Sequence, residues 1–339
     1  MQVFQRAPTP ANRRAFIDFR TISAPVQGHL DQFEQKISEI SRSDVEVINQ
    51  IWAHLVRTKG KRLRPALVFL SASAYGTPCR ETMLAAFIIE LCHTATLIHD
   101  DVVDRATTRR GLPTLNSKWD NHVSVLMGDN VIARVLTLIA KLDCSRITAK
   151  IAACVERLTE GELHQAIRRF NIRTTEAEYY RIISNKTSSL IACGCDSGAY
   201  LSSRSVETAC RFGDFGEKLG MAFQITDDIL NFTGDEDVIG KPRGNDFREG
   251  TVTLPLIHAL RNASSDGNRR VEQLLKEEWS DRLCDEIVEF VHAHDGIRYA
   301  KGKALSYAEE AKRILGDEPE NRAKEALLNM VDYAIERDR

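Results

Sequence analysis

Little in this chain breaks a helix: its 339 residues contain only nine prolines and nineteen glycines. No stretch alternates apolar and polar residues as a strand would, and no short-period repeat or domain linker appears. The eight cysteines form no CxxC. Cys193 and Cys195 make a CxC with no second pair nearby, which argues against zinc and for reduced thiols in a cytoplasmic protein. The net charge of −2 supplies no global basic field for nucleic acid. P-loop and GxGxxG motifs are both missing, so nucleotide-binding folds are not indicated. No continuous run reaches the ~20 apolar residues of a membrane span. The basic start, MQVFQRAPTPANRRAFIDFR, lacks the apolar core of a signal peptide.

What the chain does have is helical periodicity, with apolar residues recurring at i, i+3, i+4 and i+7. Helices are expected over 28–41, 44–57, 64–75, 81–103, 121–142, 147–169, 176–202, 206–232, 252–263, 269–293, 297–315 and 320–336. The fold class is all-α, a bundle with a ligand site among facing helices. Residues 1–25 read as a loose arm and 26–339 as one domain.

Two helix ends stand out. LIHDDVVD places Asp100, Asp101 and Asp104 at the end of an apolar helix, and QITDDILNF repeats the pattern with Asp227, Asp228 and Asn231. The first and last members of each set are four apart and share a face. Like charges at this spacing cost a helix about 0.2–0.5 kcal/mol per pair, and carboxylates near a helix C-terminus also oppose the macrodipole. One such end suits a solvated surface. Two facing each other across a bundle make a carboxylate cluster that needs a hard cation, Mg²⁺ or Mn²⁺. Mg²⁺ favours a few carboxylates together with phosphate oxygens of a substrate.

Basic residues support a phosphorylated substrate. TKGKRLRP brings Lys59, Lys61, Arg62 and Arg64 to a glycine-broken helix start. RRG carries Arg109 and Arg110, NKTSS carries Lys186, and GKPRGND carries Lys241 and Arg243. Arginine offers phosphate two parallel hydrogen bonds, and lysine offers a point charge.

In this order KRLRP, HTATLIHDDVVDRATTRRG, GDN, NKTSSL, QITDDILNF and GKPRGNDFREGTVTLPLI resemble the motifs of the trans-isoprenyl diphosphate synthases, from about residue 57 to 260. The resemblance implies the isoprenoid synthase helical bundle with a central substrate cavity, a homodimer and three Mg²⁺ ions. It implies head-to-tail transfer of an allylic prenyl group to isopentenyl diphosphate. Asp100, Asp101, Asp104, Asp227 and Asp228 are then the metal carboxylates. Lys61, Arg64, His93 and Arg110 bind isopentenyl diphosphate, and Arg109, Lys186 and Lys241 the allylic diphosphate. Thr187 and Gln224 lie near the allylic cation. Gln165 is at most an outer contact, and His99 is structural.

Three positions depart from the pattern: Asn231 replaces an Asp, Thr251 stands where many members have Lys, and Lys59 replaces a Gly. Ala95 and Thr96, just before the first aspartate motif, are small where short-chain synthases often carry aromatics. The implied product is therefore long, six to ten isoprenes by that resemblance, with a floor near Phe87 or Ile88 or on a facing helix. A geranylgeranyl-length product and a silent subunit of a heteromeric synthase are the alternatives. KRLRP and RRG argue against a terpene cyclase on the same fold, which has no isopentenyl diphosphate to hold.

Overall fold

The computed structural model describes residues 18–57, 60–233, 244–278 and 280–336. In chain order the helices are α1 (Phe19–Ser23), α2 (Gln27–Ile40), α3 (Glu46–Arg57), α4 (Leu63–Ser73) and α5 (Arg80–Val103). A two-strand ribbon follows, β1 (Thr108–Arg109) and β2 (Leu112–Pro113). Next come α6 (Leu115–Lys118), α7 (Asn121–Leu142), α8 (Ser145–Ile167) and α9 (Glu176–Ile183). A π-helical turn at Ser184–Ser188 leads into α10 (Ser189–Ser203) and then α11 (Val206–Thr233). Helices α12 (Asn245–Arg248), α13 (Leu254–Asn262), α14 (Ser265–Leu274), α15 (Asp281–Ala293), α16 (Gly296–Ile314) and α17 (Arg322–Glu336) complete the chain.

Helix α10 forms the axis, buried from Ser189 through Ala199 and packed against α4, α5, α8 and α11. Glycine makes this crowding possible. A Cβ at Gly198 would sit 2.2 Å from the Val68 carbonyl oxygen, and one at Gly216 would sit 2.7 Å from the Ala192 Cα. Backbones therefore touch where side chains would ordinarily keep them apart. One apolar core surrounds α4, α5, α7 and α10. A second runs from Met221, Ile225, Ile229 and Phe232 of α11 into α13–α16. Between the two, the C-terminal ends of α5 and α11 open onto a cleft.

Three expectations change. Residues 18–25 are not loose: Phe19 and Ile22 are buried, and the Phe19 ring lies 6.0 Å from Tyr333 on α17. Phe19, Ile22, Val26, Leu30, Phe33 and Ile37 are all buried and run on at helical spacing into α2, a continuity that spans the expected boundary. The helix expected at 269–293 is two helices, because the Ser280 hydroxyl accepts the Leu283 N–H at 3.3 Å and caps a new start. The RRG motif is a hairpin. Arg109 pairs with Leu112, and Arg110 (φ 51°) and Gly111 (φ 74°) both take the left-handed conformations that a type I′ turn requires.

By length and composition, α5 and α7 could each cross a membrane, but two-thirds of the α5 window is buried in the core and one-third of the α7 window. Exposed apolar residues gather instead on α7 (Val125, Leu126, Ile132, Leu136) and α8 (Val155, Leu163, Ile167).

Candidate active site

The cleft encloses about 1390 Å³ including its open mouth. Its mouth is acidic and basic at once. Asp100 and Asp104 from α5, Asp227 from α11 and Asp246 and Glu249 from α12 and its end meet Arg109, Arg168 and Lys186. Its depth is apolar, with Leu97, Ile182, Ile183 and Phe223.

The two aspartate motifs divide their residues as the helix period dictates. Asp100 and Asp104 line the cleft, while Asp101 is buried and faces a smaller neighbouring cavity. There it accepts hydrogen bonds from Arg109 Nε at 2.8 Å and Nη2 at 2.7 Å. Asp227 lines the cleft. Asp228 also reaches it but is buried, holding Tyr179 Oη at 2.6 Å and Gln224 Nε2 at 2.8 Å. The middle carboxylate of each motif thus anchors neighbouring side chains. Asp101, expected among the metal carboxylates, here turns to Arg109 and the smaller cavity.

The first motif is also ion-paired at its far end, where Arg169 binds Asp104. Asp100 has no such neutral setting. Burial pushes its carboxyl up to about 7, Glu162 and Asp104 push the same way, and Lys186 only partly offsets them. The ammonium of Lys186 donates to Glu162 at 2.8 Å. Burial opposes its charge, yet Glu162 and Asp100 outweigh that and hold its pKa above the ordinary value.

Lys186 and Thr187 reach the cleft because the helix is wound as a π turn here, a feature common at functional sites. Two glycines admit it: a Cβ at Gly161 would lie 2.8 Å from the Lys186 nitrogen, and one at Gly220 would lie 2.5 Å from the Ser188 Cα. Thr187 Oγ1 donates to Gln224 Oε1 at 2.7 Å, and Gln224 passes the chain on to Asp228. At the second motif's end, Asn231 Nδ2 donates to Asp246 Oδ2 at 2.8 Å.

The smaller cavity shares His93, Leu97 and Arg109 with the cleft and adds Arg62, Glu90 and Arg110. Arg110 folds over Gly60, where a Cβ would meet its Nη2 at 2.8 Å, so the glycine of GKRLRP is a matter of space. Arg64 lines the cleft with its Nε buried and without a hydrogen-bond partner. Burial, then Arg64 and Arg110, hold His93 well below the usual histidine pKa, so it meets this cationic wall as a neutral imidazole. Arg62, expected among the anion-binding residues, instead binds Glu34 and Glu90, each at 2.6 Å. Lys61 is exposed and donates to Tyr333 Oη at 2.7 Å, away from both cavities. Lys241, Arg243 and Lys59 lie outside the described residues.

Thr96 lines the cleft, while Ala95 is buried just outside its lining. Further back on α5, Cys92, Leu91, Ile88 and Phe87 are packed into the core, and Phe87 stacks on Phe33 at 4.6 Å. His99 sits over Gly128, where a Cβ would lie 2.1 Å from its Nε2, so the glycine of GDN makes room for it. Gln165 lines the cleft.

The donor set suits Mg²⁺. Hard carboxylate oxygens from two helices line one cleft, and among the described residues no three acidic, histidine or cysteine side chains stand together as a metal cage of their own. An ion held here would complete its shell with phosphate oxygens.

A family model described as "Polyprenyl synthetase" matches residues 45–291. The chain belongs to that family. It is a prenyltransferase of the polyprenyl diphosphate synthase class. It is 35% identical over 323 residues to the all-trans-nonaprenyl-diphosphate synthase (geranyl-diphosphate specific) of Rhodobacter capsulatus, covering 95% of this chain and 99% of that protein. It is 31% identical over 309 residues to the octaprenyl diphosphate synthase of Haemophilus influenzae, covering 91% and 94%. The crystal structure of a polyprenyl synthase from Caulobacter crescentus, complexed with calcium and isoprenyl diphosphate, superimposes with a TM-score of 0.91 at 30% identity. That match covers 96% of this chain and all of the other.

Proposed function

We propose that this prenyltransferase is a long-chain polyprenyl diphosphate synthase whose cleft holds the allylic diphosphate and whose smaller cavity holds isopentenyl diphosphate. The observation that carries this division is the shared wall of His93, Leu97 and Arg109, with Asp100, Asp104 and Asp227 on one side and Arg110 on the other. Asp100, Asp104 and Asp227 would hold Mg²⁺, three ions with substrate present. Bound there, the metal supplies Lewis-acid neutralisation of the departing diphosphate.

The chain's own groups supply the rest. Lys186 and Arg109 orient the allylic diphosphate, whose C–O bond breaks with the electron pair leaving on oxygen. Thr187 and Gln224 present oxygen dipoles to the allylic cation. Arg110 and neutral His93, with Arg64 on the cleft side of their shared wall, hold isopentenyl diphosphate so that its double bond forms the new C–C bond. The proton then lost from that unit passes to the departed diphosphate. Leu97, Ile182, Ile183 and Phe223 exclude water from the cation.

Small side chains at Ala95 and Thr96 support a long product, with the tail passing back along α5. A second copy of the chain covers the exposed apolar faces of α7 and α8. Purified protein with labelled isopentenyl diphosphate, farnesyl diphosphate and Mg²⁺ tests the function: products of about eight isoprenes are expected, and Ala95→Phe should shorten them. No condensation by the protein alone would favour the silent-subunit reading.

A further inference from the structure

The turn after α8 puts two arginines where the sequence pattern offered no reason to expect them. Arg168 lines the cleft and Arg169 binds Asp104. The turn is fixed from behind. Phe170 takes a left-handed conformation (φ 59°), and its N–H donates to the Gly250 carbonyl at 2.7 Å. A Cβ at Gly250 would collide with the Phe170 ring at 2.7 Å. The docking partner Gly250 precedes Thr251, whose buried hydroxyl has no hydrogen-bond partner and which also lines the cleft.

Arg169 and a metal ion compete for the same carboxylate. A guanidinium bound to Asp104 and a divalent cation at about 2.1 Å from it repel each other. The Arg169 Nε is itself buried without a hydrogen-bond partner, so Asp104 is the guanidinium's main anchor. The anion that arrives with the metal is the diphosphate. Resting on the two-cavity reading above, we infer that Arg169 is an exchanging cation: it neutralises Asp104 in the metal-free enzyme and becomes a diphosphate ligand once metal and substrate bind. It thereby supplies the positive charge that Thr251 does not.

The test uses the full-length protein, Arg169→Gln and Arg169→Lys, and inorganic pyrophosphate as the probe. With saturating Mg²⁺, calorimetry should show pyrophosphate binding weakened about tenfold in Arg169→Gln and largely kept in Arg169→Lys. With no pyrophosphate, Mn²⁺ binding followed by electron paramagnetic resonance should tighten a few-fold in Arg169→Gln, because its competitor is gone. Pyrophosphate affinity within twofold of wild type, in a variant with an unchanged circular dichroism melt, would overturn the exchange. So would Mn²⁺ affinity that does not rise. If the wild-type protein shows no Mg²⁺-dependent pyrophosphate binding at all, the reading of the cleft fails, and the role of Arg169 fails with it.

Discussion

The two aspartate-rich helix ends look alike as sequence and are held differently as structure. On α5, guanidinium groups do the holding, Arg109 on Asp101 and Arg169 on Asp104. On α11, neutral donors do it, Tyr179 and Gln224 on Asp228, while Asn231 reaches to Asp246. The first motif thus carries positive charge of its own. A repeated sequence pattern has become one wall that meets arginines and one whose partners include neutral donors, and each motif spends its middle residue on anchoring.

The sharpest way to break this comparison is to remove cleft-facing and anchoring carboxylates separately. Asp100→Ala, Asp104→Ala and Asp227→Ala should each lower kcat by on the order of a thousandfold, since several kcal/mol of charge stabilisation go with the metal. Asp101→Asn and Asp228→Asn should keep more activity but lose stability, by about 1–3 kcal/mol as buried partners go unpaired. Steady-state kinetics at saturating Mg²⁺ and denaturant melts of all five would check it. If the middle residues were as costly to kcat as the outer ones, the division of labour would be wrong.

The cations provide the next contrast. Arg110→Ala should raise KM for isopentenyl diphosphate about tenfold or more and barely change that for the allylic substrate, and Lys186→Ala should do the reverse. Equal effects on both substrates in either variant would merge the two cavities into one site.

This division was partly legible before any coordinates. Helical periodicity placed α2–α5, α7, α8, α11, α16 and α17 to within a few residues, and the family motifs named Asp100, Asp104, Asp227, Lys186, Thr187 and Gln224, which line one cleft. What stayed hidden depended on approach between distant segments. Gly161 and Gly220 permit the π turn under Lys186, but nothing local marks them as facing it. Tyr179, Glu162 and Asp246 belong to the site only because three helices converge there. Lys61 reads as a phosphate ligand in KRLRP yet turns to Tyr333, on the last helix of the chain. Arg169 sits in no motif at all. The capping serine at 280 and the apolar run from Phe19 were visible, and their consequence for the element boundaries was missed.

The first wall also carries a raised carboxyl. Burial and its acidic neighbours push Asp100 up to about 7, so below that pH it holds a proton that a metal must displace. Metal affinity should therefore fall about tenfold per pH unit below 7 and level off above it. The raised carboxyl also sets the sign for stability: the folded state binds this proton more tightly than the unfolded chain does. Metal-free protein should lose stability as pH rises from the ordinary carboxylate range to about 7, with no further change from this group above. Melts in chelator across pH, with Asp100→Asn as the reference, check this. An unchanged slope in Asp100→Asn would assign the effect to other groups.

The smallest expected effect comes from converting the second motif into a copy of the first, by Asn231→Asp. From the sequence alone the change looks helpful, because it restores a carboxylate to a site that binds cations. The structure supplies an opposing term. Asn231 donates to Asp246 at 2.8 Å, and an aspartate there would exchange that hydrogen bond for two facing carboxylates. The metal-free variant should lose about 1 kcal/mol at neutral pH. It should recover as the pH falls into the carboxylate range, where the pair can share a proton. Added Mg²⁺ offers the same relief, so the rise in Tm on adding Mg²⁺ should be larger in Asn231→Asp than in wild type. Calorimetric melts with and without Mg²⁺ at two pH values contain the whole test. A variant as stable as wild type in chelator at neutral pH would mean that the side chains separate at no cost. The Asn231–Asp246 hydrogen bond would then add nothing to the stability of the fold.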